Sequence, residues 1–276
     1  MKPEQKRAGG AAMAIIDSPE DFRIGRVVSR LFEALLANWV LFLALAALST
    51  IPTMLLSIYT VSDLTQNMGM TPAGAIVPGR MGRFFEITAL SSLLYLIFTF
   101  LLQAALTQST VCWLNDEKPN FGNSLSVAVK NFLPLVGIAI LAGLGVMLGM
   151  VLLFVPGIIL ALMWSVVVPV KIVEGTGIGE SFGRSRSLTK GYRGRIFLLF
   201  LAYFIVAIVI DLVVSLGMAG TMLPKPGDVN PAYMAVGWIV RVVLASITAV
   251  GVTSIYYECR LVKEGIGAQQ MAAAFD

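Results

Sequence analysis

Residues 131–170 form forty consecutive positions without a single Asp, Glu, Lys or Arg, interrupted near the middle by Phe154-Val155-Pro156-Gly157. As one helix this run would be about 60 Å long, twice the ~30 Å hydrocarbon thickness of a bilayer. It must therefore cross a membrane, turn and cross back. Pro cannot continue the bonding of a preceding helix and Gly tolerates the angles of a tight turn, so Pro156-Gly157 is the predicted hairpin turn.

The rest of the chain has the same character. Its composition, 57% hydrophobic and 13% charged, lies far from the soluble average of about 45–50% apolar and 25% charged. Further stretches poor in charge begin near Ala34, Ile87, Ile196 and Val242, which with the double run make six spans. The predicted boundaries are 35–58, 88–112, 132–153, 157–173, 196–219 and 234–257, each near the ~20 residues a span requires. The expected fold is all-α: a polytopic transmembrane bundle of six helices forming a single domain over 18–265, between a flexible N-terminus at 1–17 and a flexible tail at 266–276. The short Ala/Ile run near the start is too brief for the apolar region of a cleavable signal, so the first span is expected to direct insertion.

Charge sets the expected orientation. With six spans, sixteen of the twenty basic residues share a side with the N-terminus; Arg80, Arg83 and Lys225 lie opposite, and Arg241 lies within a span. The positive-inside rule then puts both termini on the cytoplasmic side. The net charge of +4 is accounted for by orientation signals and anionic lipid head groups, without nucleic acid.

Short amphipathic segments precede three of the spans. Ser18 reads as an N-cap with Pro19 at the first helical position. Ile24, Val27, Val28, Leu31 and Leu35 then share one face, opposite Arg23, Arg26 and Arg30. The layout returns at Phe121 to Phe132 and again after Ile178. Each copy opens on a Φ-Gly pair, Ile24-Gly25, Phe121-Gly122 or Ile178-Gly179, and each leads into two spans. We read three degenerate copies of one unit, an interfacial helix on the cytoplasmic side followed by a transmembrane hairpin. The alternative is that any cytoplasmic segment before a span looks basic and amphipathic.

Few residues carry candidate chemistry. The chain has no histidine, and Cys112 and Cys259 have no metal-type spacing, so no metal and no cofactor is expected. Gly175, Gly177, Gly179 and Gly183 fail the GxGxxG spacing, and no GK[ST] follows. Asp211 and Arg241 are the intramembrane charges, expected to form an ion pair or share a polar cavity; alternatively Arg241 snorkels to the interface. Gln103 and Thr107 share one face of the second span, as interhelical hydrogen-bonding groups. Gly145 and Gly149 form a GxxxG that lets another helix approach closely within the bundle. The connector holding Glu174, Arg184, Arg186, Lys190, Arg193 and Arg195 is the predicted basic contact with lipid or a partner protein, within which Glu174 is expected to pair with Lys171 or a nearby arginine and fix the connecting helix.

The sequence Phe154-Val155-Pro156-Gly157-Ile158-Ile159, then Pro169, Glu174-Gly175, Arg184-Ser185 and Leu188-Thr189-Lys190-Gly191, resembles the membrane-domain family named for glycerophosphoryl diester phosphodiesterase and related six-helix bacterial membrane proteins. The likeness is strongest over 150–205, with a second trace from Phe22 to Ala44 through Asn38-Trp39. In the proteins that name the family, hydrolysis belongs to a separate barrel with metal-binding residues. The resemblance therefore implies the membrane part alone. The expectation is a non-enzymatic scaffold, assembly or regulatory domain, with transport of a lipid or small molecule through polar groups of helices two, five and six as the alternative.

Overall fold

The computed structural model describes residues 21–67, 81–222 and 231–265. Ser18-Pro19, the segment 1–17 and the tail 266–276 lie outside them. The described residues are helical, in chain order α1 (Ile24–Ala37), α2 (Trp39–Asn67), α3 (Met81–Leu114), α4 (Phe121–Lys130), α5 (Phe132–Leu152), α6 (Phe154–Met163), α7 (Val167–Glu174), α8 (Ile178–Thr189), α9 (Arg193–Met222) and α10 (Pro231–Glu264). Six segments are long and apolar enough to cross a membrane: Trp39–Leu56, Phe85–Leu114, Phe132–Leu152, Phe154–Glu174, Arg193–Leu216 and Ala235–Glu264. Among the described residues the protein is an all-α bundle of six candidate spans.

Its organisation is threefold. The Φ-Gly pairs occupy the first two positions of α1, α4 and α8. In all three helices the fourth residue, Val27, Ser124 or Ser181, is buried at 2% exposure or less, so the same face turns inward. Each short helix leads into a hairpin: α2–α3, α5 with α6 and α7, then α9–α10. The returning limb of each hairpin stops at a left-handed residue, Asp116 (φ 59°), Gly175 (φ 64°) or Gly265 (φ 65°). Gly takes this conformation freely, and Asp is among the few others that visit it. After Asp116 the Glu117 amide donates to the Cys112 carbonyl at 2.9 Å, closing the helix end. Each returning limb also packs on a short helix: α3 on α4, α7 on α8, and α10 back on α1. That last contact closes the set of three units into a ring.

The turn of the middle hairpin corrects one expectation. Leu153 takes the extended conformation between helices (φ −159°, ψ 131°), while Pro156 and Gly157 lie inside the first turn of α6. A proline there gives up only an amide that the helix would leave unbonded anyway. Gly157 serves instead as a point of close approach: a Cβ on it would stand 2.7 Å from the Met150 backbone nitrogen.

The fourth span, read above as one helix over 157–173, is broken between α6 and α7 at residues 164–166. No Pro or Gly stands at the break. The carbonyl of Met163 is taken up from outside the span by the Ser185 hydroxyl at 2.8 Å and the Thr189 hydroxyl at 3.5 Å, both on α8. Trp164, at the C-cap of α6 where the ladder opens, packs edge-on against Phe182 of α8 at 5.0 Å.

The buried core is concentrated toward the end of the bundle where the three returning limbs converge. One cluster joins α2, α3, α7 and α10 through Phe42, Leu106, Val167 and Val250. A second joins α1, α6, α7, α8, α9 and α10 through Val27, Leu162, Val170, Leu188, Ile196 and Tyr256. Because Arg26, Arg30, Arg184, Arg195 and Arg260 gather there, we call it the basic end.

Candidate functional site: an ionic layer at the basic end

Two charged clusters hold the short helices to the returning limbs. In the first, Glu258 of α10 has no exposed side-chain surface. Its Oε1 accepts from Arg26 Nη2 at 2.6 Å, from Arg26 Nε at 2.9 Å and from the Arg23 backbone amide at 3.0 Å. Its Oε2 accepts from Arg30 Nη1 at 2.8 Å. Arg26 and Arg30 are four apart, on adjoining turns of α1, so both guanidinium groups reach one carboxylate. Arg30 also lies over the Tyr257 ring, 4.5 Å from its centroid.

The second cluster is a closed circuit. Arg184 on α8 donates through Nε to Glu174 Oε2 at 2.8 Å and through Nη2 to Glu264 Oε1. Glu264 accepts from Arg260 Nε at 3.0 Å, Arg260 Nη1 donates to the Tyr256 hydroxyl at 3.1 Å, and that hydroxyl donates to Glu174 Oε1 at 2.9 Å. Burial alone would lower the Arg184 pKa, but its hydrogen bonds to Glu174 and Glu264 outweigh that and raise it, so the guanidinium stays charged. A buried carboxylate is tolerated only when paired and hydrogen-bonded, and both clusters meet that condition.

A third, exposed pair ties the first unit to the third. Arg195 Nη1 donates to Asp21 Oδ1 at 2.6 Å and Nη2 to Oδ2 at 2.8 Å. Nη1 also donates to the Phe22 carbonyl at 2.6 Å. The hydrogen bonds from Arg195 are the largest cause of a lowered Asp21 pKa.

The residues singled out from sequence are thus divided. Glu174 and Arg184 face each other inside the layer, and Arg195 is held by Asp21. Arg186 and Lys190 are exposed and Arg193 is half-buried, with no ion pair to a described acid. Arg26 and Arg30, on the face opposite the apolar residues of the first short helix, turn to Glu258. Glu258, Tyr256, Arg260 and Glu264 were not singled out. The available signal was Glu258 standing alone between the apolar run of the last span and Arg260.

Gln103 and Thr107 join α3 to α10. Gln103 Nε2 donates to the Ala249 carbonyl at 2.8 Å, and the Thr107 and Thr253 hydroxyls lie 3.0 Å apart. Gly145 and Gly149 receive the returning limb of their own hairpin. A Cβ on Gly145 would fall 2.5 Å from the Trp164 ring, and one on Gly149 would fall 3.0 Å from the Gly157 Cα.

Asp211 and Arg241 are not brought together. Both side chains are exposed, and neither is bonded to another described residue. The ion pair expected between them within one chain is absent.

An open groove of about 440 Å³ lies at the α1–α2 elbow, lined by Asn38, Trp39, Leu41 and Phe121 among others. Among the described residues no group of three or more Cys, Asp or Glu side chains is placed to hold a metal ion. Comparison with family models, curated proteins and solved structures gives no match.

Proposed function

We propose that the chain is a non-enzymatic scaffold or assembly domain of a bacterial inner membrane, with both termini and the basic end in the cytoplasm, and that the outward face of α8 contacts anionic lipid head groups or an acidic partner. The observation that carries this reading is the division of charge on α8. Arg184 turns in to Glu174 and Glu264, whereas Arg186 and Lys190 stay exposed with no acidic partner among the described residues. A juxtamembrane basic residue left free in this way is worth about 1 kcal/mol toward an anionic surface.

Two features favour a scaffold over a transport path. The polar groups of the second and sixth spans are consumed by each other, since Gln103, Thr107 and Thr253 are buried and mutually bonded. The glycines of the middle hairpin are filled by Trp164, Leu160 and Met150 and do not line a channel. The resemblance noted above is to the membrane part of that family, and hydrolysis there belongs to a separate barrel.

The test is purification from native membrane with mass spectrometry of retained lipids and proteins, comparing the wild type with Arg186→Gln/Lys190→Gln. Loss of a retained anionic lipid or of a stoichiometric protein partner in the variant supports the proposal. Equal retention in both, or net flux of a solute through reconstituted protein, overturns it.

A further inference from the structure

The span of α9 is the least covered of the six, with 6% of its most apolar window buried inside the protein. Ile208, Val209, Leu212 and Val213 are exposed around Asp211. Apolar side chains need no cover in a bilayer, but a carboxylate does, and Asp211 is exposed and unbonded among the described residues. Arg241 on the neighbouring α10 is in the same situation with opposite charge. An arginine can extend its long stem toward an interface. Aspartate, with a single methylene, cannot.

The two residues also stand at one depth. Ile196 of α9 and Tyr256 of α10 pack in the same buried cluster near the basic end. Asp211 lies fifteen residues beyond Ile196, and Arg241 fifteen residues before Tyr256 on the antiparallel helix. At 1.5 Å per residue each is about 22 Å above that cluster, several ångströms short of the far side of a ~30 Å core.

Equal depth has a symmetry consequence. A twofold axis along the membrane normal carries a residue to another azimuth but leaves its depth unchanged, so a second copy brings its Arg241 to the level of the first copy's Asp211, and the reverse. We propose that the α9–α10 face is a homodimer interface in which Asp211 of each copy pairs with Arg241 of the other. A second copy is the occupant that the charges select, because it supplies both complements at the required depth with one interface. The proposal does not depend on the scaffold reading.

The test uses the full chain carrying either of two fluorescent labels at its C-terminus, reconstituted in phosphatidylethanolamine/phosphatidylglycerol vesicles, with association read by energy transfer. Wild type is expected to self-associate. D211R alone and R241D alone place like charges opposite each other and should weaken self-association by about tenfold or more. An equimolar mixture of D211R and R241D restores two opposite-charge pairs between copies, though neither chain could form one internally, and should associate as well as wild type. Asp211→Asn and Arg241→Gln, which bring no like charge, should weaken association less and retain the helical circular-dichroism signal and melting temperature. A monomeric wild type overturns the proposal. So does a mixture no better associated than either variant alone, or self-association unmoved by all four substitutions, which would assign the face to lipid or to a different protein.

Discussion

The Glu258 carboxylate, without exposed side-chain surface, lies 2.6 Å from the guanidinium of Arg26, a residue 232 positions earlier in the chain. This contact closes the ring of three units, since it fixes α1 to the last returning limb. Breaking a buried pair by removing one partner typically costs about 3–5 kcal/mol, and Glu258 is the partner shared by Arg26 and Arg30. Glu258→Ala should therefore lower the unfolding free energy in mild detergent by that amount. Glu258→Ala with Arg26→Ala should cost less than the sum of the two single changes. A loss below about 1 kcal/mol would mean that α1 is held by apolar contact alone.

Glycine substitutions should separate packing from local helix preference. At Gly157 an added methyl meets the Met150 backbone nitrogen at 2.7 Å, and at Gly145 it meets the Trp164 ring at 2.5 Å. Gly157→Ala and Gly145→Ala should each destabilise by about 1–3 kcal/mol. Gly157 should be the more severe, because backbone yields less readily than a ring. Gly183 in α8 has open space where a Cβ would stand. Gly183→Ala should stabilise by about 0.5–1 kcal/mol through helix preference. Thermal unfolding of the three variants checks the order; a Gly157→Ala protein as stable as Gly183→Ala would contradict the hairpin packing.

Hydropathy makes the spans legible because a bilayer demands length and polarity that no other environment does. Residues 132–153 were read as one span, and α5 covers Phe132–Leu152. The break at residues 164–166 was not legible. It depends on Ser185 and Thr189 reaching the Met163 carbonyl, a contact made across more than twenty residues of chain. Pro156 misled because a proline marks a turn and a helix start equally well. At the basic end, Glu174 and Arg184 stood out as charged residues beside a span. A helical wheel sets Arg26 and Arg30 of α1 opposite the apolar face but does not say which face meets α10. Asp211 and Arg241 were legible as charges at matched depth, while their outward direction depends on how α9 rotates against its neighbours.

The polar contacts between the second and sixth spans should behave as one unit. Gln103 Nε2 lies 3.3 Å from both the Thr107 and Thr253 hydroxyls and 2.8 Å from the Ala249 carbonyl, all buried. Gln103→Leu and Thr253→Val should each destabilise the protein, and a double-mutant cycle should give a coupling of about 0.6 kcal/mol, and no more than ~1.7, as for other hydrogen bonds between membrane helices. Additive effects would show that the two side chains are satisfied independently.

The Asp21–Arg195 pair predicts a specific response to acid. Hydrogen bonds from Arg195 hold the Asp21 carboxyl below its ordinary range, and the residue is exposed. A depressed folded-state pKa means that the pair stabilises the fold wherever the unfolded carboxyl is ionised, above about pH 4, and that this contribution disappears as pH falls through the lower folded value. The difference in melting temperature between wild type and Asp21→Asn should stay level from about pH 7 to pH 5 and shrink toward zero below about pH 4. Because the pair is open to solvent, the difference should also diminish in about 1 M salt, where the screening length falls to ~3 Å. The buried Glu258 cluster provides the internal comparison, since its shielded contacts should lose far less to salt. A difference between wild type and Asp21→Asn that grew on acidification would reverse the sign of this linkage and remove Arg195 as the anchor of the segment before α1.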